Sequence, residues 1–346
     1  MVARMSLYVI GAMLGLTGPG DTPARYEFTE THMGCDFKIV LYSPDAATAR
    51  RASRAAFARI GALDASLSDY EPDSELMRLC ARAGGPPVAV GDDLFFLLQR
   101  SRSMYERSGG AFDVTIGPVV RLWRRARRDR KLPTAENLAR ARALVSSDLM
   151  TLDPEARTVR LAKPGMKLDL GGIAKGYASD EAVKVLRRLG CPSALVAGAG
   201  DIVAGDPPPG RDGWTVAVAP LDRGGTAPAR TLLLRNAAVS TSGDSERYVE
   251  IQGTRYSHIV DPKTGLGVVD RCSVTVVASD GATADALDTS VYILGPVRGL
   301  PLVESTPRAS VFIARSTPLG YQTIETPLFR ALLTPAPPHP PAPKTP

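Results

Sequence analysis

The sequence predicts an α+β fold. Helical patterns fill the first half of its 346 residues, strands crowd the second, and no strict strand–helix alternation links them. The length implies one large domain or two closely packed subdomains. A hydrophobic fraction of 44% is enough to build a core.

The first 24 residues hold one Arg and then about a dozen mostly apolar residues, too few for a membrane span and suited to a signal-peptide core. This segment points to export, to the periplasm or the outer face of the inner membrane, and allows peripheral membrane association. Its poor cleavage site leaves a cytoplasmic location open. The main domain is expected over 25–330. The proline-rich 331–346 reads as a disordered tail.

Within the domain, "CDFKIVLY" alternates apolar and polar residues and predicts a strand over 35–42. "PDAATARRASRAAFARIGALDASLS" places Phe57, Ile60 and Leu63 on one helical face. A second helix is expected from Asp92 to Arg107, stopped by Gly109-Gly110, and a third from Lys175 to Leu189, ended by Gly190. "SALVA", "WTVAVA", "RYVEI", "SVTVVA" and "SVFIA" follow as strands. Four scattered cysteines without a CxxC form neither a zinc site nor a disulfide framework. They are expected to pack as small apolar residues.

Net charge is +6, a modest excess that suits an anionic small ligand as well as nucleic acid. No zinc-finger spacing or aromatic-interleaved basic surface supports nucleic acid as a partner. Much of the excess lies in "RLWRRARRDRK", read as a solvated loop or helix face.

Chemistry concentrates in four stretches. In "DLGGIAKGYASD", Asp169 ends an apolar strand, Gly171-Gly172 allow close backbone approach, and Lys175 opens a helix whose free amides attract anions. A structural turn with a solvated Lys175 is the bland alternative. In "TADALDTSVYILG", Asp285, Asp288 and Thr289 share one helical face, opposite Leu287, Val291 and Leu294. Hard oxygen ligands of this kind suit magnesium, although such a face is also simply solvated. In "SGGAFDVTIGPVVRLW", Phe112 and Asp113 sit in a loop where they could stack on and bond to a planar heterocycle, or form core and cap. "SHIVDPKTG" holds His258, one of only three histidines. No Gly-x-Ser-x-Gly or other nucleophile signature accompanies them.

In this order, and together with "HMG" at 32–34, "LSDYEPDSELMRL", "AGAGDI" and "STSGDSERY", these motifs resemble the FAD:protein FMN transferase (ApbE) family. The resemblance covers about residues 30–300. It implies a single globular unit of two intimately packed lobes with the ligand cleft between them. It implies a magnesium-dependent enzyme that moves FMN from FAD to a Thr or Ser of an acceptor flavoprotein and releases AMP. An FAD pyrophosphatase and a non-catalytic flavin carrier are the alternatives. By the same resemblance, Met33, Tyr70, Ala111, Phe112 and Asp113 line the FAD site, Asp169 and Lys175 act near ribose and phosphates, and Ile259 closes the pocket. Asp285, Thr289 and the Gly172 carbonyl hold the metal, and His258 is the base. Departures from the family pattern are Cys35 for a commoner Thr, Ala199 within the usual Gly-Gly-Asp, and the extra carboxylate of Asp288.

Overall fold

A computed structural model describes residues 22–218, 221, 230–243, 248–318 and 320–334. The hydrophobic segment and most of the proline-rich tail therefore lie outside the described residues. One eight-stranded antiparallel sheet organises the rest: β1 (Ala24–His32), β2 (Cys35–Ser43), β3 (Ala194–Gly198), β4 (Asp201–Ala204), β5 (Ala237–Gly243), β6 (Cys272–Ala278), β7 (Ser310–Thr317) and β8 (Gly320–Glu325). Their order across the sheet is their order along the chain. The sheet is thus a meander, interrupted by long excursions that carry most of the helices.

The excursion between β2 and β3 holds α1 (Ala46–Leu67), α2 (Glu75–Ala81), α3 (Asp92–Arg107), α4 (Gly117–Asp129), α5 (Ala135–Arg142) and α6 (Ala174–Arg188). The excursion between β6 and β7 is α7 (Gly281–Glu304), broken at Gly295 and followed there by Pro296. Side-chain alternation along a strand decides which layer each residue joins. Phe37, Ile39 and Leu41 of β2 pack with α1, α6 and α7, whereas Val40 faces the opposite core with Trp214 and Phe329. Both faces of the sheet are covered. A small third core joins Val119, Trp123 and Ala126 of α4 to Val249, Ile251 and Val260 around the hairpin 248–257.

The expected α1, α3, α6, β2 and late strands form within a few residues of their sequence limits. One reading is corrected, one is made specific and one strand was not foreseen. The segment ending at Asp169 is not a strand: it makes only an isolated bridge, Lys167 to Ile116, because it runs beside a helix end rather than along a sheet. The basic run forms the later turns of α4 and the residues just after it, with Trp123 buried beneath the arginines. The strand β1 was unforeseen, since as an edge strand it exposes most of its residues. Cys80, Cys191 and Cys272 are buried, and Cys35 half-buried, with no disulfide.

Candidate active site

The site begins where α6 crosses α7. Two glycines meet there: a Cβ on Gly176 would collide with the Gly281 carbonyl, and one on Gly281 with the Gly176 carbonyl. Only glycine lets the backbones approach this closely. Asp180 of α6 caps the partner helix, accepting from Gly281 N at 2.7 Å and Ala282 N at 3.1 Å. The contact aligns Lys175, one residue before Gly176, with Asp285, one turn into α7. Gly176 N donates to Asp285 Oδ2 at 3.2 Å.

Asp285 and Asp288 are only 4% and 1% exposed. The solvated-face alternative for these two residues is therefore wrong, because this stretch of α7 packs against α6 and against β5 and β6 of the sheet. Lys175 Nζ stands 2.9 Å from Asp201 Oδ2 and 3.8 Å from Asp285 Oδ2, and donates to Gly171 O at 3.2 Å. Burial alone would lower its pKa, but Asp201 and Asp285 outweigh that and hold the ammonium above its ordinary value. It is no solvated lysine. Asp285 moves the other way: burial and the neighbouring Asp201 push its carboxyl up to about 7, against the pull of Lys175.

Ser240 Oγ lies 2.5 Å from Asp201 Oδ1 and 2.6 Å from Asp288 Oδ2. A hydroxyl has one proton, so two such contacts require one carboxyl to be protonated. Burial, with Asp285 and Asp201 beside it, raises the Asp288 carboxyl well above its ordinary value. Its other oxygen accepts from Ser242 Oγ at 2.9 Å. Three buried carboxyl groups thus face a single ammonium.

That imbalance is the test of whether the residues fit a cation. Among the described residues, no three His, Cys, Asp or Glu converge as a metal cage. The expected donors are instead mixed: the Asp285 carboxylate, the Thr289 hydroxyl and the Gly172 backbone. They are near one another, since a Cβ on Gly172 would lie 3.2 Å from Thr289 Oγ1. Hard oxygen donors around excess buried negative charge suit a divalent cation.

A Cβ on Gly172 would also lie 3.3 Å from Phe112 Cε2, so the loop bearing Phe112 abuts the start of α6 and the Thr289 turn of α7. Asp169 N donates to Val114 O at 2.8 Å, which fixes that loop against the glycine turn, and Asp169 Oδ1 caps Gly171 N at 2.8 Å. Burial and Asp69 raise the Asp169 carboxyl. Tyr70 is 72% exposed, with the Arg124 guanidinium over its ring at 4.1 Å. Met33 occupies the β1–β2 turn at φ 49°, its N–H donating to Asp64 Oδ2 at 2.7 Å.

Tyr70, Phe112, Asp169, Gly172, Lys175, Asp285 and Thr289 are therefore joined by an unbroken series of contacts. Ala111 is buried beside Phe112. The Asp113 carboxylate takes 2.7–3.1 Å bonds from the Thr115 and Ser147 amides and hydroxyls, so in this arrangement it braces two loops. Ile259 is half-buried, its N–H on Ser257 Oγ at 3.1 Å and its carbonyl on Val268 N at 3.0 Å. His258 is half-buried in the bend after the hairpin strand Thr254–Ser257. The following DPKTG turn is closed by Gly265 N to Asp261 O at 2.7 Å and Lys263 N to Asp261 Oδ1 at 2.8 Å, and fastened to α4 by Trp123 Nε1 to Gly265 O at 2.8 Å. Sequence reasoning assigned no role to Asp201, Ser240, Ser242 or Arg124. For Asp201, Ser240 and Ser242 the available signals were the motifs that contain them and their place at the buried ends of apolar strands.

The ApbE family model matches residues 33–313. An FAD:protein FMN transferase of Haemophilus influenzae is 34% identical over 277 residues, covering 78% of this chain and 80% of that protein. One from Treponema pallidum is 34% identical over 300 residues, covering 82% of each. Among solved structures, the flavin transferase ApbE of Vibrio cholerae superposes with a TM-score of 0.81 at 26% identity, covering 90% of this chain and all of that one. The Pseudomonas stutzeri flavinyl transferase ApbE gives 0.79 at 30% identity, over 90% and 98%.

Proposed function

The chain belongs to the ApbE family, and from that premise we propose that it is a flavinyltransferase that moves FMN from FAD to a Thr or Ser hydroxyl of an acceptor flavoprotein. The acceptor oxygen attacks the flavin-side phosphorus of the FAD pyrophosphate. A new P–O bond forms, the bond to the bridging oxygen breaks, and AMP leaves with that oxygen. His258 takes the hydroxyl proton. Such a displacement demands positioning and charge stabilisation rather than covalent help from the protein, in keeping with the lack of a nucleophile signature.

One observation carries the reading. Lys175 is held as a half-buried cation beside the buried Asp201 and Asp285, against the Gly171-Gly172 turn. A phosphate approaching that turn meets an ammonium whose direction is fixed by two carboxylates. Asp285, Thr289 and the Gly172 carbonyl would hold a magnesium ion, which when bound neutralises charge on phosphoryl oxygens. Tyr70 offers aromatic surface to a planar end of FAD and Asp169 an acceptor to its ribose, while Phe112, only 4% exposed, backs the Gly172 turn.

The test is incubation with FAD, Mg²⁺ and an acceptor flavoprotein domain, followed by in-gel flavin fluorescence and AMP assay. Covalent flavin on the acceptor with equimolar AMP supports transfer. AMP and free FMN without labelled acceptor would establish hydrolysis instead, with water as nucleophile at the same phosphorus. Binding of FAD without AMP release would establish a carrier.

A further inference from the structure

We infer that Arg124 is a positioning residue for FAD, holding the Tyr70 ring and the Asp169 carboxylate, two cofactor contacts from distant parts of the chain, in one fixed arrangement. The inference rests on the proposed FAD site and extends it to a residue outside that set.

Arg124 Nη2 lies 2.5 Å from Asp69 Oδ2 and 3.4 Å from Asp169 Oδ2, so one nitrogen bridges both carboxylates. Its guanidinium plane also lies over Tyr70, 4.1 Å from the ring centroid. The Tyr70 backbone is pinned independently. Its N–H and that of Glu71 both donate to Ser68 Oγ at 3.3 Å, and Ser74 Oγ donates back to Ser68 O at 2.6 Å. A tyrosine with a fixed backbone, one face on an arginine and 72% of its surface exposed is an open stacking platform. Fixing the ring beforehand removes rotamer entropy that a ligand would otherwise have to overcome.

The arrangement is not explained by stability alone. Arg124 Nε is buried without a hydrogen-bond partner, a cost that a purely structural ion pair would avoid by a better fork. Arg124 also follows Trp123, whose indole holds the turn after His258. Adjacent residues of α4 thus fasten the flavin-side platform and the segment bearing the base.

The test compares wild type, Arg124→Met, Arg124→Lys, Tyr70→Ala and the Arg124→Met/Tyr70→Ala double variant. Each is titrated with FAD by flavin fluorescence, melted, and assayed for AMP release at saturating FAD. Arg124→Met is expected to raise the FAD dissociation constant about tenfold, while turnover at saturation changes by less than about twofold. Arg124→Lys keeps a cation between the carboxylates but loses the plane, so it restores the melting temperature and leaves affinity low. The double variant should lose less than the product of the two single losses, because Arg124 acts in part through Tyr70 and in part through Asp169. Wild-type affinity in Arg124→Met, or losses that multiply in the double variant, would overturn the inference. Failure of the wild type itself to bind FAD would overturn the parent reading and the inference with it.

Discussion

Replacing Gly176 with Ala sets two opposing effects against each other, and the structure decides between them. In a helix interior, Ala is favoured over Gly by about 1 kcal/mol. Here the added Cβ meets the Gly281 carbonyl and comes within 3.0 Å of Ala282 N, where ordinary contact begins at 3.4 Å. Those atoms are backbone, so no rotamer change relieves the overlap, and α6 must move away from α7. Overpacking of this kind costs about 1–3 kcal/mol, and a backbone-on-backbone collision belongs at the upper end. The net effect is about 2 kcal/mol of destabilisation, or roughly 3 °C in melting temperature for a unit of this size. The shift also draws Lys175 away from Asp285, and displacements approaching 1 Å in a site of this type cost about 10²-fold in rate. Gly61 of α1 is the control. A Cβ there lies 3.4 Å from His32 Cε1, an ordinary contact, so Gly61→Ala should stabilise by about 0.5–1 kcal/mol. Thermal and urea unfolding of both variants check the pair. Should Gly176→Ala melt at or above wild type with its activity intact, the close-crossing argument is refuted.

Other expectations follow from the same geometry. Asp180 is pushed up to about 7 by burial, against the pull of the Gly281 and Ala282 amides. Its unfolded pKa is about 3.9, so its contribution is complete below that value and lost as pH rises through about 7. Melting temperature measured from pH 4 to 8 should therefore fall with a slope that Asp180→Asn flattens, and equal slopes would refute the assignment. Asp285→Ala should abolish AMP release while circular dichroism stays native, whereas wild-type turnover in excess EDTA would remove the case for a metal. Asp113→Ala should lower stability by about 1–3 kcal/mol through its lost bonds to Thr115 and Ser147, while Tyr70→Ala should leave the melting temperature unchanged and weaken FAD binding in calorimetry. His258→Ala should keep FAD affinity and lose about 10²–10⁴-fold in transfer, and a stable variant with wild-type turnover would exclude the base role.

How much of this was legible depends on the reach of each signal. The period-2 run of β2 and the 3.6-period stripe of α1 are local, and both form as read. Lys175 and Gly172 could be singled out because a glycine pair before a helix start is itself a local sign. Burial of Asp285 and Asp288 was not legible, since a helix with polar residues on one face looks solvated unless its neighbour is known. Their neighbour is supplied by Gly176 and Ser240, at 109 and 48 residues' separation. Arg124 was hidden for the opposite reason. It lies in a run of arginines, and only its contact with Asp69 and Tyr70 distinguishes it from the exposed Arg121, Arg125 and Arg128 around it.

The meander has a bearing on how the chain is made. β2 pairs with β3, Phe37 opposite Gly198, so a ribosome must add about 150 residues after β2 before its partner exists. At about 5–20 residues per second this is an interval of roughly 8–30 s. Throughout it, the hairpin keeps the inner edge of β2 unpaired and its Val40 face uncovered, because Leu195, Trp214 and Phe329, which cover that face, are made later. Nascent chains arrested before residue 194 should therefore be held by chaperones and cut readily within β2. Release at full length should protect that strand.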